Sequence, residues 1–227
     1  MTKHNDDLYP TLDHLDRDGA IRETAEGVDG ETRAAFFRKA GLAGGGLVAG
    51  GALLGGLPSV AAAKPSAKRD VKILNFALTL EFLEAAFYVE ARDSGALSGR
   101  TLDFAKLVAD HETTHVQFLQ KALGSAAVKS PQFDFKGTTK NQGTFQQTAL
   151  TLENTGVRAY LGQAAKLTPK SLKAAASIVT IEARHSALIA DIIGGDINAT
   201  TPDGPFDRGS SMAQILKEVT ATGFIVG

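Results

Sequence analysis

The chain has 227 residues and a formal net charge of −1, from 24 Lys and Arg against 25 Asp and Glu. Hydrophobic residues make up 43% and charged residues 22%, which excludes a wholly disordered chain, and the balanced charge argues against a nucleic-acid-binding protein. Because the chain has no Cys, disulfides, iron–sulfur clusters, cysteine zinc sites and thiol catalysis are excluded.

Residues 1–63 have the composition of an export leader. An acidic, polar stretch is followed by a basic segment at 32–39, an uncharged stretch rich in Gly, Ala and Leu at 40–57, and three alanines at 61–63. A basic region, an apolar region and a small-residue cleavage site are typical of a secretory signal. We therefore expect cleavage after Ala63 and a periplasmic or extracellular mature chain.

The basic segment resembles a twin-arginine signal, with one departure. It reads Thr-Arg-Ala-Ala-Phe-Phe-Arg, so Ala34 stands where the second arginine would be. The alternatives are an uncleaved membrane anchor and a disordered cytoplasmic tail, but the many glycines of the apolar stretch favour a cleaved leader.

Four long helices are predicted after the leader. Apolar residues recur at helical spacing over 67–93, 101–123, 144–165 and 169–193. Thr101 is a candidate N-cap of the second helix, and Thr168 with Pro169 has the pattern that begins a helix. No segment shows sustained strand alternation, so the sequence predicts an all-α fold.

The lengths of the connections predict the topology. The first two helices and the last two have short connections, which favour antiparallel hairpins. The connection at 125–142 can span a helix of roughly 35 Å, since an extended chain covers roughly 3.3 Å per residue. Two hairpins joined by one long crossover form a ferritin-like four-helix bundle, which we place at residues 64–194.

Residues 195–227 are predicted to form a loop-rich C-terminal extension with a short helix near 210–220. Its apolar side chains are expected to seal one end of the bundle; they are Phe206, Ile215, Leu216, Phe224 and Ile225.

Six residues on the four predicted helices form a pattern with chemical content. In chain order they are a Glu, a Glu-x-x-His, a Glu and a second Glu-x-x-His: Glu81, Glu112, His115, Glu153, Glu182 and His185. Residues three apart lie on one helix face, so each Glu-x-x-His directs a carboxylate and an imidazole at one point. This ligand order is that of ferritin-like di-iron and di-manganese proteins.

The two halves of the pattern repeat each other. Glu81 precedes Glu112 by 31 residues, and Glu153 precedes Glu182 by 29. Tyr88 and Tyr160 each lie seven residues, or about two helical turns, after the first Glu of their half. The tyrosines are expected to hydrogen-bond the metal ligands rather than to bind metal.

Burial of the pattern would be costly without a cation. Four carboxylates inside a bundle lose hydration and repel one another, and two metal ions would neutralise them. Glu84 lies one turn from Glu81 and is its rival as the ligand of the first helix; the seven-residue spacing to Tyr88 favours Glu81. His111 is expected beside the site.

The mature chain resembles the ferritin-like family of exported bacterial proteins, whose di-metal relatives include rubrerythrin, bacterioferritin and manganese catalase. The resemblance covers roughly residues 70–194 and is carried by Leu-Glu-Phe-Leu-Glu-Ala-Ala-Phe-Tyr at 80–88 together with the Glu and Glu-x-x-His pattern. It implies that Glu112 and Glu182 bridge two metals. It also implies that Glu81 and Glu153 are terminal ligands, and that each metal takes one histidine.

A second interpretation comes from His111-Glu112-Thr113-Thr114-His115, which matches the H-E-x-x-H of zinc peptidases. The longer form of that motif fails, because Phe118 and Lys121 stand where it requires Gly and His. A zinc peptidase would also leave the second Glu-x-x-His unexplained.

The sequence thus favours an exported protein with two iron or manganese ions and redox chemistry on oxygen, peroxide or the metal itself. The alternative is a non-catalytic, metal-binding or structural envelope protein connected with stress. The export machinery is the partner expected from the leader, a homodimer is one candidate assembly, and no nucleic acid is expected.

Overall fold

The computed structural model describes residues 65–194 and 205–226. The predicted leader at 1–63 lies outside the described residues, as does part of the C-terminal extension. The described residues form five α-helices: α1 (Ala67–Asp93), α2 (Gly99–Leu123), α3 (Gln142–Ala164), α4 (Pro169–Ile193) and α5 (Met212–Thr222). In these two ranges, none of the helices is long and apolar enough to cross a membrane.

The predicted all-α bundle is confirmed. Helix α1 packs along α2, and α3 along α4, as expected for two hairpins with short connections; α1 also contacts α3, and α2 contacts α4. The crossover between α2 and α3 contains two short 3-10 helices, Gly124–Ala126 and Thr138–Lys140, and the strand β1 (Gln132–Phe133).

Two helices begin two residues earlier than the sequence predicted. Helix α2 starts at Gly99 after Ser98, and the expected cap Thr101 is instead buried inside the helix, where its hydroxyl accepts a hydrogen bond from Gln146 at 2.7 Å. Helix α3 starts at Gln142, because the Asn141 side chain accepts a hydrogen bond from the Thr144 amide and caps it.

Helix α4 begins where it was predicted, but its cap comes from another helix. Thr168 occupies the N-cap position and Pro169 follows it, yet the Thr168 side chain makes no capping hydrogen bond. The buried carboxylate of Asp70, on α1, instead accepts hydrogen bonds from the Thr168 amide at 3.0 Å, the Thr168 hydroxyl and the Ser171 hydroxyl. Asp70 therefore ties α1, in the first hairpin, to the start of α4, in the second.

The C-terminal extension packs against α3 through a close backbone contact. The Ser210 amide donates to the Arg158 carbonyl at 2.9 Å, and a Cβ at Gly162 would lie only 1.8 Å from the Ser210 carbonyl oxygen. Arg158 also pairs with Glu218 of α5 at 2.7 Å. The absence of a side chain at Gly162 is thus required for this contact.

The predicted apolar seal is correct in part. Ile215 and Phe224 are buried in the core, and Ile225 is half-buried against it. The prediction was wrong for Phe206 and Leu216, which are 80% and 43% exposed, because the outward face of the extension meets no other described element. The strand β2 (Ile225–Val226) pairs antiparallel with β1, a two-residue pairing too short for sequence alternation to reveal.

Candidate metal centre

The patterned glutamates lie at mid-height in the bundle, between two apolar clusters. On α2, residues 104–109 contribute to one cluster and residues 116–123 to the other, and Glu112 lies between them. On α4, Glu182 lies in the same way between Ile178 and Ile189. The side chains are fully buried for Glu81, Glu112, Glu153 and Glu182.

The structure brings the six patterned residues together as two overlapping groups of side-chain atoms that could hold a metal ion. Within each group, the donor atoms lie within 4.8 Å of one another. One group contains Glu81, Glu112, His115 and Glu182, and the other contains Glu112, Glu153, Glu182 and His185. Glu112 and Glu182 belong to both groups, which is the arrangement two neighbouring ions need in order to share carboxylates.

Each histidine directs its Nδ1 atom at carboxylates. Nδ1 of His115 lies 3.1 Å from Glu112, 3.2 Å from Glu81 and 3.3 Å from Glu182. Nδ1 of His185 lies 3.2 Å from Glu112 and 3.3 Å from Glu153. The imidazoles thus face the two ends of the carboxylate cluster, one in each group.

The two tyrosines hold carboxylates across the bundle in a reciprocal way. The Tyr88 hydroxyl, on α1, donates to Oε1 of Glu153 on α3, and the Tyr160 hydroxyl, on α3, donates to Oε1 of Glu81 on α1. Burial, and then the charge of the partner glutamate, raise the pKa of each tyrosine well above its usual value, so both remain protonated donors. Each fixes one carboxylate oxygen and leaves the second directed at the cluster.

The cluster is strongly acidic, and no Lys or Arg of the described residues balances its charge. Among residues 65–194 and 205–226, no Lys or Arg lies within ion-pair distance of these carboxylates. Burial, and then repulsion by neighbouring carboxylates, raise the pKa of Glu84, Glu112 and Glu182 well above the usual value. The raised pKa values mean that these carboxyl groups tend to keep a proton, which reduces the negative charge of the cluster.

The pKa values of His115 and Glu81 shift as expected for an ion pair: the pKa of His115 rises and that of Glu81 falls. Burial disfavours the charged form of His115, but its contacts with Glu112, Glu182 and Glu81 outweigh burial and raise its pKa to about 12. Burial likewise raises the pKa of Glu81, but hydrogen bonds, including those from His115 and Tyr160, lower it below its usual value. A protonated His115 therefore occupies one end of the cluster as a cation.

Several buried atoms of the cluster have no hydrogen-bond partner in the described part of the chain. They are Oε1 of Glu112, Oε2 of Glu153, both side-chain oxygens of Glu182, and Nδ1 of His185. Oε1 of Glu182 is near His115 but lacks hydrogen-bond geometry. Because buried polar atoms are rarely left without a partner, and all of these belong to the two donor groups, the residues present fit metal ions.

Glu84 also lies within the cluster, although outside both donor groups. It is 3% exposed, and it occupies the space beside Gly156 on α3, where a Cβ would lie 3.4 Å from Oε1 of Glu84 and 2.8 Å from Oε2 of Glu182. The internal repeat contained a signal for this: Gly156 follows Glu153 by three residues, as Glu84 follows Glu81. Sequence reasoning missed Gly156 because a lone helical glycine carries no ligand.

Replacing Gly156 with Ala is expected to weaken metal binding by about tenfold while leaving the fold intact, because the new Cβ displaces the carboxylate of Glu182. The displaced atom is the end of a flexible side chain, and Ala favours helix over Gly by roughly 0.5–1 kcal/mol. Titration with Mn²⁺ measures the first effect and thermal unfolding the second. Gly143→Ala, on the same helix with only Asn141 nearby, is the matched control; equal affinity in both variants would contradict the assignment.

His111 is half-buried and contacts His185 instead of joining a donor group. Its Nδ1 lies 2.9 Å from Nε2 of His185, and the two rings meet edge to edge, with 5.1 Å between centroids and 22° between planes. The histidines of the H-E-x-x-H sequence therefore do not converge on one ion, because His111 faces His185 while His115 faces the carboxylates.

Comparison with known proteins agrees with this architecture. A family model described as a ferritin-like domain matches residues 69–195, more than half of the chain. No curated protein matches the sequence. The matched range contains α1 to α4 and every patterned residue. The chain belongs to the ferritin-like domain family.

Proposed function

We propose that this protein holds two iron or manganese ions in the buried cluster and carries out redox chemistry with them. The observation that carries the proposal is the overlap of the two donor groups at Glu112 and Glu182. A single site would need neither a second histidine nor shared carboxylates. Two adjacent ions would satisfy the partnerless oxygens and balance the acidic charge.

The donor set favours iron or manganese. Four carboxylates and two imidazoles are harder ligands than the thiolates that select copper(I) or structural zinc. Glu81, Glu112 and His115 would hold one ion, Glu153 and His185 the other, with Glu182 and Glu112 shared. Tyr88 and Tyr160 would fix the outer oxygen of the two unshared carboxylates.

Bound in this way, iron or manganese supplies the electron transfer for reaction with oxygen or peroxide, and iron can itself be the species oxidised. The chain's own residues provide a dry, rigid environment for this reaction. The apolar clusters above and below exclude water, and the two tyrosines limit the movement of their carboxylates. The protons held by Glu112, Glu182 and His115 must leave for the ions to bind.

The burial of the cluster supports a second candidate: a non-catalytic, metal-binding or structural protein of the cell envelope, connected with stress. All four ligand glutamates are fully buried, so a substrate larger than oxygen or peroxide has no direct contact with them. Turnover separates the two candidates.

The test is peroxide consumption and oxygen uptake by the full chain loaded with Mn²⁺ or Fe²⁺. The redox proposal expects turnover that disappears in a Glu112→Ala/Glu182→Ala double variant. Bound metal without turnover would contradict the redox proposal and favour the non-catalytic one.

We further propose that residues 1–63 direct export, on the support of their sequence pattern alone. Expression of the full chain in a bacterial host should place a chain that begins at Lys64 in the periplasm or medium, as mass spectrometry would show. Full-length chain retained in the cytoplasm or membrane would contradict this.

A further inference from the structure

The internal repeat breaks at the residue before each Glu-x-x-His. His111 precedes Glu112, whereas Ile181 precedes Glu182. One half of the bundle therefore carries an imidazole where the other half carries an apolar side chain. The ligands themselves keep the repeat, so this difference changes the surroundings of the two histidine ligands and not the ligand count.

The two ring nitrogens of His185 both face polar groups, but only Nε2 has a hydrogen-bond partner among the described residues. Nδ1 faces Glu112 and Glu153 and has no hydrogen bond from the described residues. Nε2 faces Nδ1 of His111 at 2.9 Å, and the two rings are within 22° of parallel. Phe104 lies on another side of the His185 ring, with 6.5 Å between centroids and 90° between planes.

His115 lacks such a partner. All of its close polar contacts involve Nδ1, on the carboxylate side, and no residue in 65–194 or 205–226 hydrogen-bonds its Nε2. The corresponding neighbour on the other Glu-x-x-His helix, Ile181, has no polar atom in its side chain. The two histidine ligands thus differ in what holds their far nitrogen.

A histidine that binds metal through Nδ1 must carry its proton on Nε2. In that tautomer, Nε2–H of His185 donates to Nδ1 of His111, which keeps the Nδ1 lone pair directed at the space between Glu112 and Glu153. A hydrogen-bond acceptor behind a histidine ligand fixes the ring and makes it a stronger ligand.

We infer that His111 is a positioning residue for one of the two metal ions, and that it makes the His185 position the tighter of the two. This inference rests on the proposed di-metal site. It assigns His111 a role that neither the ligand pattern nor the H-E-x-x-H sequence gives it, and it predicts stepwise rather than equal filling.

The test is calorimetric titration of the full, metal-free chain with Mn²⁺, with Co²⁺ absorption spectra as a second readout. His111→Phe keeps an aromatic ring but removes the acceptor, and His111→Gln restores an acceptor without the ring. We expect two unequal binding steps in the parent chain. His111→Phe should weaken the tighter step by about tenfold or more and leave the weaker step unchanged, and His111→Gln should recover most of the loss.

Three outcomes would overturn the inference: equal binding steps in the parent chain, a His111→Phe variant that titrates like the parent, or one that weakens both steps together. A His111→Gln variant as weak as His111→Phe would also overturn it, because ring packing would then be the cause. Thermal unfolding of the metal-free variants separates loss of the fold from loss of the hydrogen bond. A parent chain that binds no Mn²⁺ contradicts the proposed function itself, whereas two bound ions with an unaffected His111→Phe contradicts only this inference.

Discussion

Replacing Glu182 with Gln is expected to abolish high-affinity binding of both ions and, at the same time, to stabilise the metal-free chain. Glu182 belongs to both donor groups, so its loss removes a ligand from each ion. It is also fully buried, and neither of its side-chain oxygens has a hydrogen-bond partner in the described part of the chain. When a residue binds metal but destabilises the metal-free fold, replacing it should weaken metal binding and raise the stability of the metal-free chain.

The stabilisation of the metal-free chain by Glu182→Gln should increase as pH rises. Burial, and then neighbouring carboxylates, raise the pKa of Glu182 in the folded chain, so at neutral pH the folded state retains a proton that the unfolded state has released. Stability of the metal-free parent therefore falls as pH rises above about 4.5, and the Gln variant lacks this part of the decline. Removing a buried carboxylate without a partner gains about 1–3 kcal/mol at pH 8.

Circular dichroism melts of the metal-free proteins at pH 5 and pH 8 measure this effect. The difference between variant and parent should be larger at pH 8, at roughly 2–4 °C of melting temperature per kcal/mol. Asp103→Asn removes an exposed carboxylate from α2 and is the matched control. A Glu182→Gln variant that is less stable than the parent at pH 8, or that still binds two Mn²⁺ ions, would be incompatible with the assignment.

The second large effect is stabilisation by metal. An ion at about a thousand times its dissociation constant stabilises the fold by about 4 kcal/mol, which corresponds to roughly 8–16 °C of melting temperature for a domain of this size. The gain should be greater at pH 8 than at pH 6. Contacts with carboxylates, which outweigh burial, raise the pKa of His115 to about 12, and its contribution to metal-free stability is lost progressively as pH rises above about 6.5.

Scanning calorimetry with and without Mn²⁺ at the two pH values tests this expectation. Titration in two buffers of different ionisation enthalpy should show that protons are released as Mn²⁺ binds, because Glu112, Glu182 and His115 must lose them. The Glu112→Ala/Glu182→Ala double variant is the control and should show no shift. A larger shift at pH 6, or an equal one in the double variant, would show that Mn²⁺ acts elsewhere.

Much of the fold could be predicted because it depends on local and periodic signals. Helix α1 has the predicted bounds, and α4 starts with Thr168 and Pro169 as expected. The long crossover follows from connection length alone. The start of α3 shifted because the Asn141 side chain caps it ahead of the predicted start. Helix α2 begins after Ser98, whose side chain makes no capping hydrogen bond and donates to Gln142 instead, so no local cap marked that start.

The sequence could predict which of these side chains come together, but not their geometry. Helical spacing places Glu112 with His115, yet it cannot show that Tyr88 meets Glu153 on another helix, since that depends on the rotation of each helix in the bundle. Glu84 could not be placed either, because its position depends on the space left by Gly156, 72 residues away. The capping of α4 by Asp70 could not be predicted either, because it joins residues that are far apart in the sequence.

The measurement that tests the di-metal claim most directly is the metal content of the full chain after loading with Fe²⁺ or Mn²⁺ and removal of free ions, beside the Glu112→Ala/Glu182→Ala double variant. The overlap of the two donor groups predicts about two ions per chain in the parent and none in the double variant. A parent chain that retains no metal, or that retains about one zinc ion dependent on His111, would contradict the di-metal centre.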